Sequence, residues 1–334
     1  MVRILAIESS CDETAGAVVE DGCKILGNKV HTQIEIHAAY GGVVPELASR
    51  SHTERIVPVI QSAIEESNIS LSEIDAVAVT IKPGLIGSLL VGVTAAKAIA
   101  YSLQKPLIGV HHIEAHLYAN AFEHGPMQFP CIGLAISGGH TSLYYGQSPT
   151  SWQVIGQTID DAAGEAFDKV AKLLELSYPG GPIIEKVAQK GNPLAIQFPK
   201  SMLGKDSLDF SFSGLKTAVL YACRGKTART STDNELIVKV EDAAASFQKS
   251  ICDVLCVKAL KALEQYNAQV LYVGGGVICN KELRKRLSEF LSPKNINVYY
   301  PLPKFCTDNA VMIAGLAFHH YQNKNFIELN ASIG

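Results

Sequence analysis

This 334-residue sequence has no excess of charge of either sign, no paired cysteine motif and no expected bilayer-length apolar run. Lys and Arg number 29 against 32 Asp and Glu, a formal net charge of -3, so no global basic field gathers a polyanion. Any nucleic-acid contact must therefore be local. The eight cysteines are scattered without a Cys-x-x-Cys pair, which fits free thiols in a reducing compartment better than disulfides or a zinc ribbon. Cys252 and Cys256, one helical turn apart in an apolar stretch, read as core. The opening Met1-Val2-Arg3-Ile4-Leu5-Ala6-Ile7-Glu8 is too short and too soon acidic for a secretion signal, and no segment is expected to span a membrane. The expected location is the cytoplasm. With 47% hydrophobic and 18% charged residues the chain has a globular balance, and its length favours two lobes over one core.

The chain repeats itself. Strands are expected at Ile4 to Glu8, Ala15 to Val19 and Lys24 to Val30, and again at Pro130 to Ile136, Thr141 to Tyr145 and Trp152 to Gln157. After each trio come helices and a buried strand ending in a glycine turn: Asp75 to Ile81 before Lys82-Pro83-Gly84, and Gln269 to Val273 before Gly274-Gly275-Gly276. Each half adds one more strand, Leu107 to Val110 and Val298 to Tyr300, and a last helix beginning near His112 and near Asp308. The second copy carries extra helical sequence between about residues 160 and 265. The expectation is an α/β fold with an N-terminal lobe over 1–125 and a C-terminal lobe over 126–334. Such a duplication resembles the actin, Hsp70 and sugar-kinase (ribonuclease H-like) superfamily, whose two lobes clasp a nucleotide.

The sharpest local signal is His111-His112-Ile113-Glu114-Ala115-His116. His112 and His116 lie one turn apart, about 40° around a helix, so both imidazoles reach one metal ion, whereas Glu114 lies about 200° from His112 and faces away. In a His-Glu-x-x-His peptidase motif the glutamate directly follows the first histidine, so this spacing argues against a metallopeptidase. Phe305-Cys306-Thr307-Asp308-Asn309-Ala310 opens the equivalent helix of the second half, and the pseudo-twofold relation brings Asp308 opposite the pair. Two histidines and a carboxylate suit Fe(II) or Zn(II). The plain alternative for Asp308 is a helix N-cap, a job for which Thr307 competes.

Ala135-Ile136-Ser137-Gly138-Gly139-His140-Thr141 reads as strand, glycine turn and strand, with backbone N–H groups available to phosphate. An ordinary hairpin turn is the alternative. The same place in the first repeat holds Ser9-Ser10-Cys11-Asp12-Glu13-Thr14, which offers carboxylates instead. Gly274-Gly275-Gly276-Val277-Ile278-Cys279-Asn280 lets a purine or ribose lie against the backbone, and Gly180-Gly181 and Asp168 are candidates for ribose contacts.

Taken together these segments resemble, along nearly the whole chain, the universal tRNA threonylcarbamoyladenosine transferases, called TsaD in bacteria and once described as sialoglycoprotein endopeptidases. The match includes Glu8 to Thr14, Gly41-Gly42-Val43-Val44-Pro45-Glu46-Leu47-Ala48-Ser49-Arg50, Pro83-Gly84-Leu85, Asp160 to Lys169, Tyr178-Pro179-Gly180-Gly181-Pro182 and Asp209 to Thr217, beside the motifs above. The resemblance implies transfer of a threonylcarbamoyl group from threonylcarbamoyl-AMP to N6 of adenosine 37 in tRNAs reading ANN codons. It implies one divalent metal per subunit, Fe(II) first and Zn(II) as alternative, on His112, His116 and Asp308. Ala135, Ile136, Ser137, Gly138, Gly139, Asp168, Gly181, Glu185 and Asn280 would hold the adenylate. Asp12 or Glu13 would take the proton of the attacking amine, which is a weak nucleophile. Implied partners are tRNA, a smaller paralogue (TsaB) and a P-loop ATPase (TsaE), with self-pairing in their absence.

Two features depart from the family pattern, Lys82 where many members have glycine, and an end at Gly334 where relatives often continue with a basic tail. The tRNA surface expected from charge is the inserted region with Lys205, Lys216, Arg224 and Lys226. An ATP-dependent kinase or ATPase of the same superfamily would explain the duplication but not a His-His-Asp centre, since phosphoryl transfer normally uses Mg²⁺ with oxygen ligands. A nucleotide-binding scaffold is the non-enzymatic alternative.

Overall fold

A computed structural model describes residues 1–204, 206–225 and 236–331. The first repeat runs β1 (Arg3–Glu8), β2 (Glu13–Glu20), β3 (Lys24–Thr32), α1 (Ile34–Ala38), α2 (Pro45–Ser67) and β4 (Ala76–Lys82). It continues with α3 (Ile86–Leu103), β5 (Leu107–His111), α4 (His112–Tyr118) and α5 (Ala121–His124). The second runs β6 (Cys131–Ile136), β7 (Thr141–Ser148), β8 (Ser151–Gln157), α6 (Ala163–Leu173), α7 (Gly180–Ala188), α8 (Ser213–Arg224) and α9 (Val240–Gln265). It ends with β9 (Val270–Gly274), α10 (Lys281–Leu291), β10 (Asn297–Tyr299) and α11 (Ala310–Gln322). The sheet orders are β3-β2-β1-β4-β5 and β8-β7-β6-β9-β10. In each, the first strand pairs antiparallel with the second and parallel with the fourth. The internal repeat is thus real, and the expected insertion holds α6 to α9.

The first sheet shows why its strands read as nearly continuous apolar runs. Successive side chains of a strand point to opposite faces, and here both faces are covered. Leu5, Ile7, Val18, Val77 and Val79 pack on Ile56 and Ile60 of α2 and Val93, Ala96 and Ala100 of α3. Ile4, Ala6, Ala15, Ala17, Ala76 and Ala78 pack on the other side with Ala115 of α4 and Val311 to Ala314 of α11.

The position of α11 corrects the expected domain division. The chain forms two compact units, Met1–Met127 with Ser148–Trp152 and the segment from Pro301 onward, and Gln128–Gln147 with Gln153–Tyr300. The last helix, expected within a 126–334 lobe, therefore belongs with the first sheet. Its composition gives the reason: Ala310 to Ala317 are all buried, and a helix apolar on every side needs cover all round. A Cβ at Gly315 would lie 2.6 Å from ring atoms of Tyr118 and Phe122, so glycine is what permits the close approach of α4 and α5.

By length and composition α3 is apolar enough to cross a membrane, with mean hydropathy 1.5 over 18 residues. It instead packs Ser88, Leu89, Gly92, Val93, Ala96 and Ala100 inward, and leaves Ile86, Leu90 and Tyr101 exposed.

Candidate metal centre and nucleotide site

β5 delivers the chain directly into α4, so His112 and His116 project from the first two turns of that helix and are buried to 5% and 1% exposure. Asp308 precedes α11. It is not the N-cap, and neither is Thr307. Asn309 takes that place, its side chain accepting from Met312 N at 2.9 Å, which leaves the Asp308 carboxylate to the cluster. The three ligand atoms converge: His112 Nε2 and His116 Nε2 lie 3.2 Å apart, and Asp308 Oδ1 lies 3.3 Å from the first and 3.0 Å from the second. Donors about 2.0–2.2 Å from one metal and about 90–110° apart sit roughly 2.8–3.6 Å from each other. The three atoms fit that spacing, and the mixed imidazole and carboxylate set suits Fe(II) or Zn(II).

Behind His112 stands a second layer. Glu8 Oε2 lies 3.1 Å from Nδ1, and Ser10 Oγ lies 3.2 Å from the same atom. Burial works against a charge on His112, yet Asp308 and Glu8 flank its ring and raise its proton affinity well above the usual imidazole range. His116, desolvated and next to His112, is pushed down. Desolvation also works against a charged Asp308, but the two histidines hold its carboxyl far below the ordinary range. Two carboxylates, Glu8 and Asp308, thus flank the His112 ring.

The turn between β1 and β2 carries the two carboxylates expected to act as base. Asp12 and Glu13 have oxygens within 4.8 Å of Asp308. Desolvation, then the charges of Asp308 and Asp12, push the Glu13 carboxyl well above the usual range. A carboxyl held protonated must release that proton before it can act as a base. The fully buried His52 of α2 braces this turn from below: its Nε2–H donates to Cys11 O at 2.9 Å and its Nδ1 accepts from Thr14 Oγ1 at 2.8 Å. Glu114 is not in the cluster, as helix geometry predicted. Burial raises its carboxyl to about 7 against the opposing charge of Lys82.

The residues expected to hold the adenylate all lie in the second unit. Ala135 and Ile136 end β6, and Ser137 turns the chain through Gly138 and Gly139 with Ser137 N donating to His140 O at 2.8 Å. A Cβ at Gly138, Gly139 or Gly181 would meet nothing within 4 Å, so packing against the protein does not dictate glycine there. At Gly275 it does: φ is +93° and a Cβ would come within 2.4 Å of Ile136 O. Asp168 Oδ1 accepts from Gly180 N at 2.7 Å, at the start of α7. Glu185 Oε1 accepts from Lys281 N at 2.8 Å. Asn280 caps α10 by accepting from Leu283 N, and its Nδ2 donates to Gln248 Oε1 at 2.8 Å. Glu185 and Gln248 also line a cavity of about 250 Å³ with Ala188, Ala245, Lys281 and Lys285.

Of the basic residues expected to meet tRNA, Lys205 and Lys226 lie outside the described residues. Arg224 is engaged, donating to Glu175 at 2.9 Å and to Leu173 O at 3.1 Å, and Lys216 sits on α8. Sequence reasoning assigned no role to Glu8, Thr80 or His52. Glu8 had a signal, a carboxylate closing an otherwise apolar strand; His52, inside an ordinary amphipathic helix, had none.

The family model described as tRNA N6-adenosine threonylcarbamoyltransferase matches residues 24–315. The chain belongs to that family. The transferase of Staphylococcus haemolyticus (strain JCSC1435) is 52% identical over 320 residues, covering 96% of this chain and 92% of the relative. That of Bacillus cereus (strain ATCC 14579) is 50% identical over 334 residues, 99% of this chain and 95% of the relative. Among solved structures, full-length HypF in its phosphate- and nucleotide-bound form aligns with TM-score 0.66 at 14% identity, over 98% of this chain and 47% of HypF. The (R)-2-hydroxyglutaryl-CoA dehydratase component A of Acidaminococcus fermentans aligns with TM-score 0.56 at 14% identity, over 96% and 100% of the two chains. The family is shown by the sequence relatives, and the distant structures bear on fold alone: a duplicated α/β fold of the actin-like class.

Proposed function

We propose that this transferase moves the threonylcarbamoyl group of threonylcarbamoyl-AMP to N6 of adenosine 37 in tRNAs that read ANN codons, in the cytoplasm. The observation that carries the reading is the convergence of His112, His116 and Asp308 in a chain of this family. These three side chains would hold one divalent ion, Fe(II) or Zn(II). When bound, such an ion supplies Lewis acidity toward a carbonyl or phosphoryl oxygen.

The residues of the chain have separable tasks. The Ser137 to Gly139 turn directs backbone toward phosphate, while Asp168, Gly181, Glu185 and Asn280 surround the nucleoside. Asp12, in the turn braced by His52, accepts the proton lost by the adenine amine as it attacks the carbamoyl carbon, and AMP leaves. That amine is poorly nucleophilic because its lone pair is delocalised into the ring, so both removal of its proton and activation of the carbonyl are needed. The exposed apolar face of α3, with Ile86, Leu90 and Tyr101 at 58%, 49% and 65% exposure, supports work in company with another subunit, which we take to be the smaller paralogue. A P-loop ATPase completes the proposed set, and self-pairing through the same face is the arrangement in their absence.

The test is reconstitution with threonylcarbamoyl-AMP, unmodified tRNA and the two partner proteins, read by nucleoside mass spectrometry. Threonylcarbamoyladenosine should appear with the wild-type chain and vanish with Asp308→Ala. Its absence with the wild type, or its persistence with Asp308→Ala, refutes the reading.

A further inference from the structure

Glu8 is the last residue of β1 and is fully buried. A carboxylate taken out of water is tolerated only where its lone pairs are engaged, and each oxygen here is. Oε1 accepts from Ser10 N at 2.5 Å. Oε2 accepts from the Thr80 hydroxyl and from His112 Nδ1, the latter at 3.1 Å. The opposite nitrogen of the same ring, Nε2, is the one that meets His116 and Asp308. The imidazole is thus held between a carboxylate on one edge and the three-atom cluster on the other.

The internal repeat supplies a control. Ile136 closes β6 as Glu8 closes β1, and each sits in the last register pair of its antiparallel hairpin, Glu8 with Ala15 and Ile136 with Thr141. The fold therefore accepts an apolar residue at this position. The carboxylate occurs in the repeat that carries the histidines. A purely architectural account of Glu8 leaves that asymmetry without a cause.

We infer that Glu8 is a positioning residue for the metal centre, holding His112 as the Nδ1–H tautomer and turning the ring so that Nε2 presents its lone pair to the ion. The inference rests on the reading that His112, His116 and Asp308 hold a metal. Partners of this kind orient a ligating imidazole and raise its basicity, and their loss typically costs about 10–100-fold in metal affinity.

The experiment measures Zn²⁺ affinity by competition with a chromophoric chelator, and the visible absorption spectrum of the Co²⁺-substituted chain, for wild type, Glu8→Gln and Glu8→Asp. Glu8→Gln should weaken both ions about 10–100-fold and displace the Co²⁺ bands while the chain stays folded. Glu8→Asp keeps the charge but draws the carboxylate back by one methylene, and should lose affinity as well. Should Glu8→Gln fail to fold, Glu8→Asp decides alone. A lower melting temperature with unchanged affinity and spectrum overturns the inference and leaves Glu8 architectural. Wild-type affinity in Glu8→Asp beside a weakened Glu8→Gln overturns it in favour of charge alone. A wild-type chain that binds neither ion overturns the metal reading itself.

Discussion

Glu114 gives a stability prediction that can be worked through. It sits between His112 and His116 in sequence but outside their cluster, and burial raises its carboxyl from the ordinary 4.5 to about 7, with Lys82 opposing. The folded chain therefore binds this proton more tightly than the unfolded chain does. Below about pH 4.5 both states hold the proton and nothing is lost. Between 4.5 and 7 the unfolded chain ionises while the folded chain does not, so stability falls as pH rises; above about 7 the penalty is constant. A tenfold change in proton affinity is worth about 1.4 kcal/mol, so the shift from 4.5 to about 7 sets a ceiling of about 3.5 kcal/mol, and partial solvent access reduces it to about 1–3 kcal/mol. Glu114→Gln removes the penalty. Urea unfolding of both proteins at pH 5 and pH 8, in one chelating buffer, cancels the other titrating groups in the difference. The variant should exceed wild type by less than about 1 kcal/mol at pH 5 and by about 1–3 kcal/mol at pH 8. Equal gains at both pH values, or a loss at pH 8, would refute the reasoning.

Two other perturbations follow from the same geometry. Asn309→Ala removes the cap of α11 and should cost about 1–2 kcal/mol in denaturant unfolding; because Asp308 is its neighbour, Zn²⁺ affinity should fall too, and an unaltered affinity would separate the cap from the cluster. Ile86→Glu with Leu90→Glu places charges on the exposed face of α3 and should abolish co-elution with the smaller paralogue on size exclusion while metal content stays at the wild-type level. Retained co-elution would move the docking face elsewhere.

Much of the fold was legible because each repeat carries its own periodicity: apolar strands closed by glycine turns, at matching places in both halves. The convergence of Asp308 on the histidine pair was legible for the same reason, since the repeat relates the starts of α4 and α11. The allegiance of α11 was not, because a helix apolar on all sides says that it is buried without saying against which sheet. Nor was the cap at Asn309, where Thr307, Asp308 and Asn309 are all good cap residues and only the backbone decides. The role of Glu8 depends on which face of His112 it meets, and His52 on a turn distant in sequence; neither is a property of local pattern. The apolar stretch Ile86–Leu103 has a composition that suits a membrane and equally a helix packed on a sheet.

On this reading His112, His116 and Asp308 share one divalent ion. Anomalous-difference crystallography at the iron and zinc edges tests it most directly. The prediction is a single peak about 2.0–2.2 Å from His112 Nε2, His116 Nε2 and Asp308 Oδ1, absent from crystals of Asp308→Ala. A stoichiometric metal peak elsewhere in the chain, or one that persists at full height without the Asp308 carboxylate, would contradict it.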